Sequence, residues 1–154
     1  MNLPTVWTLT FTLHLLAAVL WVGGMAFAHF ALRPSAAALL EPPQRLPLLA
    51  ATLGRFFGLL GVAVPLILAT GLALLLRVGM AAAPPTWHAM LLLGLVMAAI
   101  FVFIVSRPYP RLRRHVAARE WPAAGAAMAV IRRWVLVNLV LGTLTVVVAG
   151  LGRG

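Results

Sequence analysis

No cysteine, no lysine and no aspartate occur among the 154 residues of this chain. Without cysteine there are no disulfides, no thiolate metal sites and no covalently attached c-type haem. Glu41 and Glu120 are the only carboxylate side chains, and neither lies inside an apolar run. A paired-carboxylate catalyst or a carboxylate proton relay therefore cannot be assembled. Both glutamates stand beside prolines, where a carboxylate at the positive end of a helix dipole serves as a helix starter. No glycine-rich phosphate loop follows a strand pattern. No catalytic residue is assigned, and the chain reads as a binding protein more readily than as an enzyme.

Apolar residues make up 64% of the sequence and charged ones only 9%, far from the balance of a soluble domain. Four runs approach or exceed the roughly 20 residues needed to cross a bilayer. Val6 to Leu32 carries no formal charge; Phe56 to Leu76 has Thr70 as its one hydroxyl. His88 to Val105 is almost wholly apolar, and Trp134 to Gly152 holds only Asn138, Thr143 and Thr145. Barrel strands would be segments of about ten residues with alternating polarity. The expectation is an all-α, integral membrane four-helix bundle forming one domain over residues 1–154, with helices near 5–32, 54–78, 86–106 and 126–151. Ala26-Phe27-Ala28 has the form of a leader cleavage site, but the run is too long for a leader and lacks a basic start, so it is expected to be retained.

All twelve basic side chains are arginine. Arg33, Arg45 and Arg55 surround the first loop; Arg107, Arg111, Arg113, Arg114, Arg119, Arg132 and Arg133 surround the third. Only Arg77 and Arg153 fall on the opposite side. The positive-inside rule then puts both long loops in the cytoplasm and both termini outside. A net charge of +10 distributed in this way marks topology and attraction to anionic headgroups, not a nucleic-acid partner.

The two halves share punctuation. His14 precedes Arg33-Pro34 by 19 residues, and His88 precedes Arg107-Pro108 by the same interval. Glu41 and Glu120 each stand 30 residues before a glycine, Gly71 and Gly150. A duplicated two-helix unit related by a pseudo-twofold axis along the membrane normal would produce this pattern; convergent helix ends in Arg-Pro are the alternative. Each Arg-Pro is expected to close its helix, with Leu46 to Arg55 lying along the inner interface.

Nineteen helical residues span about 28 Å, so His14 and His88 should lie at similar depth near the outer boundary of the hydrocarbon. Ionisable groups there are costly and usually mark function or buried pairing, and neutral imidazole is the commonest metal ligand. The other reading of His14 is a ring bonded to a carbonyl or threonine of a neighbouring helix. His14, Trp21 and Met25 share one helical stripe, with Gly23 and Gly24 allowing close approach of another helix. Met90 and Met97 form a stripe roughly opposite His88, so both sets cannot face the bundle axis. Thioethers suit Cu(I) or an axial position on haem iron, or else fill gaps in a core. Arg77 would snorkel or meet an anionic group such as a haem propionate. His29 is too deep to join an outer site and is expected as a separate inner ligand or an interfacial group; His115 is expected to be solvated, and Asn138 to bond across helices.

The stretches HLLAAVLWVGGMAFAHFALRP, LEPPQRL, GRFF, TWHAM and IRRW with NLVLG together resemble the bacterial copper-resistance D (CopD) family. The resemblance implies a multi-pass inner-membrane protein concerned with copper uptake, tolerance or homeostasis on the periplasmic side. More distantly, His14, Trp21 and Gly24 are similar to the opening helix of the HemJ-type protoporphyrinogen oxidases, which bind haem b. In that family a lysine follows the third-helix histidine by two positions; here the pair would be His88 and Met90.

Three functional expectations follow. In the first, His14, His88 and Met25 hold a copper ion near the outer face, served by a periplasmic copper-binding protein or redox partner and by dimerisation if a path across the membrane is needed. In the second, a b-type haem is held by His14 with His88 or Met90, with Arg77 at a propionate, for electron transfer or porphyrin or quinol oxidation. In the third, the chain is a cofactor-free assembly subunit.

Overall fold

The computed structural model describes residues 3–151, and every regular element among them is helical. The order is α1 (Leu3–Phe27), a π-helical turn (Ala28–Leu32), α2 (Arg33–Leu39), α3 (Pro42–Val78), α4 (Pro85–Ser106), α5 (Pro108–Ala117) and α6 (Trp121–Leu151). Four continuous stretches are long and apolar enough to cross a membrane: Leu3–Leu39, Pro42–Val78, Pro85–Ala117 and Trp121–Leu151. Their outward faces carry Leu16, Val19, Val62, Leu92, Val102 and Val140, all well exposed, as lipid-facing surfaces require. The protein is a multi-pass membrane protein built as a four-helix bundle. Arg153 of the topology argument lies outside the described residues.

The two Arg-Pro dipeptides behave differently. A proline removes an i−4 hydrogen bond and its ring crowds the carbonyl one turn back. Before Pro34 the helix widens into a π turn, in which the Arg33 N–H reaches the Ala28 carbonyl, and then continues to Leu39. The expected break at Arg33-Pro34 is therefore absent; the chain leaves the helix at Leu40, in extended conformation. At Arg107-Pro108 the break does occur: Arg107 leaves helical geometry at φ −121°, ψ −73°, and Pro108 starts α5.

Glu41 caps α3 with extended geometry, Pro42 follows it as the first helical residue, and the Arg45 N–H returns to the Glu41 carbonyl. The helix then runs 37 residues without interruption, including the stretch expected to lie flat before residue 54. At 1.5 Å per residue it is about 55 Å long, so its first turns stand clear of a roughly 30 Å hydrocarbon layer. It ends at Gly79, whose φ of 92° favours glycine. Helix α6 likewise starts earlier than expected, at Trp121.

Packing sorts the helices into two close pairs, α1 with α3 and α4 with α6, while α5 lies across α6. Helices α1 and α4 stand diagonally, without direct backbone contact. At the arginine-rich end the space between the pairs is filled by rings: Trp21 and Phe57 each meet Phe101 edge-on, and Phe57 meets Tyr109 with centroids 5.1 Å apart. Phe56 lies against Gly24 so closely that any Cβ there would collide with the ring, whereas Gly23 faces open space. Leu112 of α5 is fully buried and plugs the same end.

Candidate functional site

At the opposite, arginine-poor end the diagonal gap is not filled. A cavity of about 330 Å³ opens between α1, α3, α4 and α6. Its walls are apolar and aromatic, with Phe11 and Trp87 nearer the arginine-poor helix ends and Trp21, Val22 and Met97 at the deeper floor. One titratable side chain, His14, lines it among the described residues.

The environment of His14 fixes which nitrogen is available. Nδ1 lies 3.0 Å from the Ile67 carbonyl oxygen and 3.0 Å from Thr70 Oγ1. A carbonyl can only accept, and the Thr70 hydroxyl donates to the Leu66 carbonyl at 2.6 Å. Nδ1 must therefore carry the hydrogen. In the neutral ring Nε2 then keeps its lone pair, and it has no hydrogen-bond partner among the described residues. Metal-binding histidines are commonly oriented in this way, with the other ring N–H given to a carbonyl or similar acceptor. Gly71 makes room for the ring: a Cβ there would sit 3.0 Å from His14 Cε1. The bond to a neighbouring helix and the availability as a ligand, set against each other at the level of sequence, turn out to involve different nitrogens of one ring.

The remaining expected site residues divide. Met90 and Met97 line the cavity together with His14, on the face of α4 that also carries Trp87, Leu91 and Gly94. His88 is one residue, about 100°, around the helix from Trp87 and is not on that wall. Its Nδ1 donates to the Pro84 carbonyl, 3.3 Å away, in the first turn of its own helix. The structure therefore does not bring His88 to the cavity beside His14, and the methionine stripe faces inward instead. Met25 does face the core, with 2% of its surface exposed, but it lies 11 residues, about 16 Å, below His14 and beyond the Trp21 floor. Arg77 stacks over the Trp7 ring at 4.7 Å and does not reach the cavity.

Other polar groups have local explanations. Asn138 Nδ2 donates to the Met97 carbonyl across the α4–α6 contact, at 3.2 Å, while its Oδ1 is buried without a partner. His29 sits in the π turn with its ring edge-on to Phe30. His115 is not simply solvated: Nδ1 pairs with Glu120 at 2.6 Å, closing the loop in which Arg119 adopts φ 58°. Among the described residues, no three His or Glu side chains converge on one point. The soft donors that line the same cavity are one imidazole and two thioethers, an uncharged set of the kind that suits Cu(I).

Sequence comparison bears on what such donors are for. Residues 50–151, two-thirds of the chain, match the copper resistance protein D family. The chain belongs to that family. Membership ties this membrane protein to copper resistance. The matched segment contains Thr70, Gly71, Met90 and Met97 and begins after α1, which carries His14. No curated protein and no solved structure matches the chain.

Thr70, Gly71 and Met97 were not named as site residues from sequence. The signal for Thr70 was its isolation as the one hydroxyl in the second apolar run. Gly71 had no signal separable from ordinary helix packing, whereas the signal for Met97 was its stripe with Met90.

Proposed function

We propose that the cavity receives copper as cargo, with His14 Nε2 as the imidazole donor and the Met90 thioether as its soft partner, above the floor that Met97 helps to close. The observation that supports this reading most is the hydrogen bonding of His14 Nδ1 to Ile67 and Thr70, which leaves Nε2 with its lone pair on a ring that lines the cavity. A neutral N,S donor set would hold Cu(I) while discriminating against hard cations that prefer carboxylates. Trp21 and Met97, both almost fully buried, close the floor, which favours capture and holding at one face over free passage. The chain would act as a single four-helix unit of the inner membrane. The arginine distribution supports a cytoplasmic face at the α5 end, with the cavity end and both termini on the periplasmic side. There a periplasmic copper-binding protein or redox partner would exchange the ion, and a second copy of the chain would be needed for any path across. The pairing of α1 with α3 and of α4 with α6 supports the duplicated-unit reading, in which the second histidine has drifted from the site.

One observation favours a second occupant. The cavity is larger than a bare ion requires, and its Trp21 and Trp87 walls would suit a planar apolar group such as haem b, with His14 as axial ligand and Met90 as the other candidate. Against it, Arg77 is engaged at Trp7 and, among the described residues, no arginine lines the cavity to give propionates a counter-charge. Purification in mild detergent after growth with copper and haem precursor separates the two. Stoichiometric copper without a Soret band, lost in His14→Ala, is the expected result. A Soret band lost in His14→Ala would replace copper by haem; neither species would leave an assembly subunit.

A further inference from the structure

Helix α5 and the end of α4 form a second concavity, at the opposite end of the molecule from His14. This groove, of about 490 Å³, is lined by Val105, Tyr109, Pro110, Arg113 and Arg114. The amphipathic α5 that makes one side of it buries Pro108 and Leu112 and leaves Arg113 and Arg114 exposed. Its apolar wall is firmly built. The Tyr109 ring packs edge-on against Phe57, and its hydroxyl donates to the Ala50 carbonyl of α3 at 3.3 Å. Gly54 leaves the space for that hydroxyl, which any Cβ would meet in hard contact. The tyrosine thus offers its ring to the groove while its donor is already used.

Among the described residues the guanidinia on the rim have no acidic partner. The nearest carboxylate in sequence, Glu120, is paired with His115, and this is the one ion pair among the described residues. Two cations standing above an apolar wall, where a transmembrane helix turns into a surface helix, match a ligand with an anionic head and an apolar body. Guanidinium binds phosphate through paired hydrogen bonds, and basic clusters at the end of a membrane helix attract anionic headgroups.

We propose that this groove is a binding site for an anionic phospholipid, with Arg113 and Arg114 on the phosphate and with Val105, Tyr109 and Pro110 along the glycerol and upper acyl chain. The site is separate from the copper cavity and does not depend on it.

The test is native mass spectrometry of the full-length protein released from detergent containing equal phosphatidylglycerol and phosphatidylcholine. The expected result is preferential retention of one phosphatidylglycerol, with the preference falling roughly tenfold or more in the Arg113→Gln, Arg114→Gln double variant. The Arg113→Lys, Arg114→Lys variant, which keeps the charge, should retain part of it. Equal loss in an Arg132→Gln, Arg133→Gln control would show diffuse attraction to the basic end and overturn the site. Inorganic phosphate that binds through Arg113 and Arg114 while no lipid is retained would also overturn it. Since both substituted residues are exposed, unchanged circular dichroism is expected to accompany the loss.

Discussion

His14 and His88 occupy matched places in the sequence, each 19 residues before an Arg-Pro, yet the fold uses them differently. His14 lies against α3, where Ile67 and Thr70 take its Nδ1 hydrogen and leave Nε2 with a lone pair at a cavity wall. Among the described residues His88 bonds only the carbonyl of Pro84 in its own first turn, and it stands off the wall that Met90 and Met97 line. Equal spacing fixes depth in the membrane, because rise per residue is constant. It does not fix which way a side chain points relative to a neighbour, since that depends on how the helix is rotated by its packing. One imidazole was given an acceptor on a partner helix, and the other was not.

The sharpest way to break the contrast is to remove each ring in turn. His14→Ala should lower Cu(I) affinity by more than about 100-fold, beyond the effect usual for an outer-shell partner, while His88→Ala leaves it unchanged; competition titration with a Cu(I) chelator measures both. Gly71→Val comes next. Its Cβ alone would lie 3.0 Å from His14 Cε1, so the branched side chain should push the ring off its acceptors and remove most binding in the same titration. Thr70→Val keeps the Ile67 carbonyl and removes one acceptor; a loss towards the lower end of the 10–100-fold range for second-shell changes is expected, about tenfold. Asn138→Leu should leave copper binding intact and move stability by within about 1 kcal/mol, since one interhelical hydrogen bond is lost and one unpartnered buried oxygen is removed with it. Arg77→Gln is expected to have the smallest effect, no change in ligand and a small loss of thermal stability from the cation–π contact with Trp7.

The class of fold was legible because bilayer physics leaves few choices. Long uncharged runs must be helices, and arginine marks their ends. What was not legible was continuity: Arg33-Pro34 reads as a stop, but one widened π turn absorbs the proline and the helix continues. The stretch before residue 54 read as interfacial, yet Pro47 does not interrupt α3. At the site, His14 was identifiable because an imidazole in lipid needs a reason to be there. Met25 shares the His14 stripe but is not among the residues that line the cavity, since a stripe specifies a face but not where along it a cavity ends. Met97 reads as a space filler in sequence, and only the diagonal gap between α1 and α4 makes it part of a wall.

X-ray absorption at the copper edge of the Cu(I)-loaded, full-length protein tests the central claim most directly. An imidazole nitrogen together with thioether sulfur in the coordination shell is expected, with the imidazole scattering lost in His14→Ala and retained in His88→Ala. An imidazole shell that survives His14→Ala, or that disappears with His88→Ala, would contradict it.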